Sequence, residues 1–195
     1  MEIILGSQSP RRKEILRFFS LPFVQIASSF DEDSIPFEGD PASYVQILSR
    51  KKAETLSSFH ADRVILTADT TVFYNGKIYN KPKNLEEAVL FLKQLSGKWH
   101  SVFTALSLFY NGIIHTRHEE TKILFQELTL EQIHKYLKHI NFLDKAGSYA
   151  IQQGGSLIVK KIDGCYYNAM GLPLNSLQEL LLIANIDLWH YMKIL

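Results

Sequence analysis

The chain has 195 residues, 46% of them hydrophobic and 21% charged, with 10 Gly and 6 Pro, which suits one domain or two closely joined lobes and excludes collagen-like, low-complexity and disordered chains. The formal net charge is +1, so bulk electrostatics argues against nucleic acid or an anionic membrane as partner. The single cysteine, Cys165, excludes an internal disulfide framework and a Cys-rich zinc site, and fits reducing, cytoplasmic conditions. The start, MEIILGSQSPRRKEIL, places its charge after a short apolar run, the reverse of a signal peptide. No run of eighteen apolar residues exists, so no spanning helix is expected.

Short apolar runs alternate with helical periodicity, the signature of an α/β protein. Residues 2–5 read as a first strand. Ser9 and Pro10 then supply an N-cap and a first-turn proline for a helix to about Ser20. A short strand over 23–26 and a polar loop over 28–40 follow. A helix from Pro41 to about Ser58 carries Tyr44, Ile47, Leu48 and Leu56 at helical spacings. Residues 63–74 form a strand, and Asn75-Gly76 turns it into a short partner over 77–79. A helix over 85–95 stops at Ser96-Gly97. Two long strands, 100–110 and 113–126, join through Asn111-Gly112. The last third holds a helix over about 129–139, a Gly-rich region, a strand over 157–162, a helix from about 173 to 183 and a short amphipathic end. The whole chain, 1–195, reads as a single domain.

Three places break this pattern with chemistry. Ser7-Gln8-Ser9-Pro10-Arg11-Arg12 lies between a strand and a helix, where free N–H groups and guanidinium forks favour an anion such as phosphate. The alternative is a capped helix with two solvated arginines. The acidic loop Asp31-Glu32-Asp33 has the oxygen donors that Mg²⁺ prefers, although such a loop standing alone is ordinary surface. Asp69, within Thr67-Ala68-Asp69-Thr70-Thr71, interrupts a strand that should be buried, which an ionised carboxylate tolerates only with partners. Lys52 and Lys81 are isolated cations. In the run from Asp144 to Gln152, small residues permit close backbone approach, and the Gln152 amide can donate to and accept from a base edge. His115 and His118 lack partners at zinc spacing and read as surface or packing residues. Cys165 reads as a packed residue, and Trp99, Tyr166 and Tyr167 as core or interface aromatics.

Taken together, these stretches resemble the Maf family of nucleoside triphosphate pyrophosphatases. The matching segments are SQSPRRKEIL (7–16), FDED (30–33), RKKAETL (50–56), TADTTV (67–72), NKPKNLEEA (80–88), LSGKWHSVFTA (95–105), DKAGSYAIQQGG (144–155) and IDGCYYNAMGLPL (162–174). Their order and spacing cover nearly the whole chain. The DKAGSYAIQ run is similar to the branch acting on dTTP and UTP. Asn80, where the family usually has Gly, together with Gln153 and Cys165, departs from the pattern.

The resemblance implies a mixed sheet with flanking helices in a Maf/Ham1-like, two-lobed architecture around a central cleft. It also implies a divalent cation, Mg²⁺ or Mn²⁺, a nucleoside triphosphate as partner and members that are often homodimers. By motif position, Asp69 is the implied proton acceptor, and Glu32 with Asp69 the implied metal ligands. Ser7, Arg12, Lys52 and Lys81 are implied to cradle the triphosphate, and Arg11, Thr70 and Gln152 to set base preference. Such a set supports hydrolysis between the α- and β-phosphates. The competing expectation is a non-catalytic nucleotide-binding regulator of cell division or septum formation. It does not account for Asp69 in the strand.

Overall fold

A computed structural model describes residues 2–152 and 154–193. Its centre is one seven-stranded mixed sheet in the order β2-β1-β3-β5-β6-β7, with β4 hydrogen-bonded to β3. The strands are β1 (Ile3–Gly6), β2 (Phe23–Gln25), β3 (Ile65–Tyr74), β4 (Lys77–Tyr79), β5 (Trp99–Tyr110), β6 (Ile113–Phe125) and β7 (Val159–Asp163). β1 pairs in parallel with β2 and β3, and every other pairing is antiparallel. The expected α/β class, with helices flanking a mixed sheet, is what forms.

The helices are α1 (Pro10–Leu16), α2 (Pro41–Ser57), α3 (Leu85–Leu95), α4 (Leu130–Leu137), α5 (Tyr166–Ala169) and α6 (Leu174–Ile183). Local signals start several of them. Ser9, Asp40 and Asn84 accept backbone N–H groups at the N-termini of α1, α2 and α3, and Thr129 with Gln132 forms a reciprocal capping box on α4. α1 stops at Leu16, four residues short of the sequence expectation. Beyond it the backbone turns to long-range partners: Lys193 Nζ donates to Arg17 O, and Ser20 N donates to Tyr191 O. Periodicity cannot see that pairing. The short α5 has no apolar period of its own and went unpredicted.

Period-two alternation sorts β3 between two environments. Leu66, Ala68 and Val72 enter the main core with α1, α3, α4 and α6. Ile65 packs with Leu56 of α2, and Thr67 and Asp69 bond to Ser49 and Lys52 of α2. Of the four apolar positions expected to define α2, Tyr44, Leu48 and Leu56 are buried, but Ile47 is exposed. The middle of its inward face is instead polar, carrying Ser49 and Lys52.

The pairing of β3 is uneven. β1 ends with Gly6 opposite Thr67, and the β4 pairing reaches only as far as Tyr79, its last residue, opposite Val72. Between those points, β3 has a strand only on its β5 edge. Gly6 is required at the end of β1, because a Cβ there would lie 2.4 Å from Leu56 Cδ1 and 2.6 Å from Thr67 Cγ2.

A buried His100 stacks edge-to-face on Phe125 and Tyr149, with ring centroids 4.6 and 5.5 Å away. Its Nδ1 faces Lys98 O at 3.4 Å, and its Nε2 lies 3.0 Å from Tyr149 Oη. A carbonyl only accepts, so Nδ1 carries the proton and Nε2 accepts from the tyrosine. Burial lowers the imidazole from its ordinary 6.5 to about 4. The unfolded chain therefore binds the proton more readily, and folding stability should fall as pH drops from 6.5 to 4, by about 3 kcal/mol. Chemical denaturation at a series of pH values checks this; His100→Leu should flatten the slope in that window.

Candidate active site

Asp69 is 6% exposed at the middle of β3. A carboxylate there needs a counter-charge, and α2 delivers one: Lys52 Nζ lies 2.6 Å from Asp69 Oδ1. The same ammonium lies 2.8 Å from Glu32 Oε1. One buried lysine thus bridges two carboxylates from separate segments. In the acidic loop, Asp31 caps its own turn by accepting from Asp33 N at 3.1 Å, while Asp33 stays at the surface. Only Glu32 turns inward.

Electrostatics separates the two carboxyls. Burial raises Asp69, opposed by Lys52 and reinforced by the Glu32 charge. Burial also pushes Glu32 upward, but Lys52, Lys81 and Arg12 outweigh it and hold this carboxyl below its ordinary value. Asp69 is the more basic member of the pair, as a proton acceptor must be.

On the opposite face of β3, Arg12 closes the unpaired edge. Its Nε donates to Gly171 O at 2.7 Å and its Nη1 to Ser7 Oγ at 2.9 Å and Ala68 O at 3.0 Å. Nη2 donates to Thr70 Oγ1 at 2.9 Å. The Ala68 carbonyl lies in the stretch that neither β1 nor β4 reaches, so a side chain replaces the missing strand. Burial lowers Arg12 to about 10, the nearby Asp69 charge opposing the shift, which leaves it cationic at neutral pH. Gly171 has φ +95, and a Cβ there would lie 3.1 Å from Thr70 Oγ1 and 3.4 Å from Arg12 Nε. A glycine lets the chain pass this close.

Ser7 Oγ accepts both from Arg12 and from Ser9 N, at 3.2 Å, so its own hydroxyl proton remains to donate outward. Thr104 donates to Asn168 O at 3.0 Å and therefore accepts from Thr70 at 2.9 Å. Thr70 is thereby held on the Arg12 side, away from Asp69. Asn80 ties β3 to α2, accepting from Thr71 Oγ1 at 2.7 Å and donating to Tyr44 Oη at 3.2 Å. Its carbonyl also accepts from Gly147 N. Next to it, Lys81 is exposed and lends its charge to Glu32.

Arg11 leans on Asp144 rather than on the Asp69 cluster. Gln152 Oε1 is buried without a hydrogen-bond partner among the described residues. Gln153 lies outside the described residues, and Cys165 caps α5 through its sulfur. Trp99 and Tyr166 are exposed, whereas Tyr167 packs against the main core. The structure therefore gathers Glu32, Lys52 and Asp69 into one cluster and Ser7, Arg12 and Thr70 into another across the strand. The sequence reading missed the bridging roles of Asn80 and Gly171. The only signal was Asn80 standing where glycine was expected.

A family model described as Maf-like protein matches residues 2–183. The chain belongs to the Maf family. It is 45% identical to a dTTP/UTP pyrophosphatase of Chlamydia caviae over 98% of both chains. It is 41% identical to a dTTP/UTP pyrophosphatase of Chlamydia trachomatis serovar L2 over 97% of both. It is also 41% identical to a nucleoside triphosphate pyrophosphatase of Chlamydia muridarum over 98% of both. A solved nucleoside-triphosphatase / dITP/XTP pyrophosphatase from Mycobacterium abscessus is similar at 14% identity and TM-score 0.38, covering 64% of this chain and 74% of that one. No helix among the described residues is long and apolar enough to cross a membrane.

Among the described residues no group of three or more His, Cys, Asp or Glu forms a metal cluster. Glu32 and Asp69 are the acidic pair that could hold a divalent cation. Mg²⁺ is commonly bound by one or two carboxylates with substrate phosphates and waters completing its shell. The pair supplies that donor type, two carboxylates converging on one point where the Lys52 ammonium now stands. Removing that ammonium leaves the buried Asp69 carboxylate without its direct counter-charge. Lys52→Met should destabilise the fold by about 3 kcal/mol or more, and adding Asp69→Asn should restore part of the loss. Denaturant midpoints of the two variants test this; equal midpoints for wild type and Lys52→Met count against the buried pair.

Proposed function

We propose that the protein hydrolyses dTTP and UTP at the bond between the α- and β-phosphates, giving the nucleoside monophosphate and pyrophosphate with help from a divalent cation. The observation that carries this reading is 45% identity over 98% of the chain to a protein named for that activity. The Asp69–Lys52–Glu32 cluster gives it chemical content.

Asp69 takes the proton from the attacking water. Burial, the main influence on this carboxyl, makes it a stronger base than an exposed aspartate. Glu32 and Asp69 would hold the cation, which neutralises phosphate charge when bound. Lys52 and Lys81 bring further positive charge, and the Ser7 hydroxyl is free to donate to a phosphate oxygen. Arg12 already has four internal acceptors, so its contribution to the polyanion is chiefly its field and the placement of Ser7 and Thr70.

Base preference has a chemical basis in Gln152. Its buried carbonyl oxygen finds no donor among the described residues, and a buried acceptor left so is unfavourable until a donor reaches it. Uracil and thymine carry an N3–H that can do so. Cytosine presents a bare nitrogen acceptor there.

Two measurements test the reading. Product analysis should find pyrophosphate and the monophosphate, with turnover abolished by excess EDTA; orthophosphate and a nucleoside diphosphate would refute the bond assignment. Asp69→Asn should retain folded structure and nucleotide binding while kcat falls by about 10²-fold or more, the usual scale for losing a proton acceptor. A folded Asp69→Asn with full turnover would remove Asp69 from the chemistry.

A further inference from the structure

We propose that Asp144 is a positioning residue that sets base selectivity by fixing the guanidinium of Arg11. This rests on the reading of Arg11 as a base-preference residue, and goes beyond it by naming what holds Arg11 in place.

The geometry is specific. Arg11 Nη1 lies 3.5 Å from Asp144 Oδ2, and Arg11 Nη2 donates to the Asp144 carbonyl at 3.2 Å. One residue thus grips the guanidinium twice, once through its side chain and once through its backbone. The grip is buttressed from behind. Lys145, 5% exposed, donates to Asp144 Oδ1 at 2.6 Å and to Asn141 O at 2.6 Å. Both carboxylate oxygens of Asp144 are therefore engaged, and the group cannot rotate away from Arg11 without breaking a buried lysine contact.

Arginine has five N–H donors in a rigid fork. The two bonds to Asp144 leave Nε and one N–H on each terminal nitrogen without an acceptor among the described residues. The adjacent Arg12 differs, with four of its donors held inside the fold. Arg11 is thus the arginine of this turn with donors to offer a ligand, and Asp144 decides where they point. The donors match carbonyl acceptors, which uracil and thymine present at two ring positions and cytosine at one.

The same loop leads to Gln152. It is pinned a second time near that residue, because Tyr136 Oη donates to Ala150 O at 3.1 Å and accepts from Ala150 N at 3.0 Å. Asp144 consequently links α1 to the segment that carries Gln152. Without the Asp144 carboxylate, the Arg11 guanidinium keeps only the bond to the backbone carbonyl, so it can pivot about that one contact and its remaining donors lose their fixed direction.

The test is a double-mutant cycle read as selectivity. The kcat/KM values for dTTP and dCTP are measured for wild type, Arg11→Ala, Asp144→Ala and the double variant, with melting temperatures on the same preparations. Each single substitution should lower the dTTP:dCTP ratio by about tenfold, and the double variant should fall no further than Arg11→Ala alone. Should Asp144→Ala not fold, Asp144→Asn keeps the size and one oxygen for Lys145, and should lower the ratio in the same direction. An unchanged ratio in folded Asp144 variants, beside a lowered one in Arg11→Ala, overturns the proposal while leaving the role of Arg11 intact. A further full drop in the double variant makes Asp144 act independently of Arg11 and also overturns it. An Arg11→Ala enzyme with the wild-type ratio removes the underlying reading, and the proposal falls with it.

Discussion

The structure is organised around one unfavourable placement, an aspartate buried in the central strand of the sheet. Asp69 can be ionised there only because Lys52 reaches it from α2 at 2.6 Å, and that requirement propagates outward. It makes the inward face of α2 polar in its middle, where Ser49 and Lys52 stand between the apolar contacts of Leu48 and Leu56. It also draws in the acidic loop, since Lys52 can serve a second carboxylate and Glu32 supplies one. Loop, helix and strand are joined by one ammonium.

The period of two along β3 does the remaining division of labour. Asp69 faces α2 and the acidic loop, while Thr70, its neighbour, faces Arg12 and Thr104. Residues adjacent in sequence thus belong to different networks, one joining two carboxylates through an ammonium and the other supporting the strand edge. The support is needed because β1 and β4 leave part of the strand edge unpaired, and Arg12 satisfies the Ala68 carbonyl there. An unpaired buried carbonyl would otherwise cost about 1–3 kcal/mol.

Most of this scaffold was legible in the sequence, because helix caps, Asn-Gly turns and apolar periodicity are local signals. The two hairpin turns fall at Asn75-Gly76 and Asn111-Gly112 with positive φ at all four residues, as the dipeptides require. Asp69 stood out for the same reason in reverse, as a charge contradicting its local pattern. What could not be read were relations between distant segments. Past the end of α1, the backbone bonds to a terminal segment more than 170 residues away. That Arg11 and Arg12 have different fates is equally invisible, because both are arginines in the first turn of one helix. Only the acceptors within reach separate them.

That difference suggests why the turn carries two arginines instead of one. A guanidinium that closes a strand edge must be buried and saturated, and a saturated group has little left to offer a ligand. Arg12 meets the first requirement, with acceptors in Ser7, Ala68, Thr70 and Gly171. One residue earlier in the helix, the side chain points some 100° around the axis, far enough for Arg11 to leave that network and meet Asp144. Helical geometry therefore lets a single turn hold a saturated cation and one that keeps donors unused among the described residues side by side. Exchanging their surroundings would undo both arrangements, since an exposed Arg12 could not close the sheet and a saturated Arg11 would keep no donor for the base-reading role proposed for it.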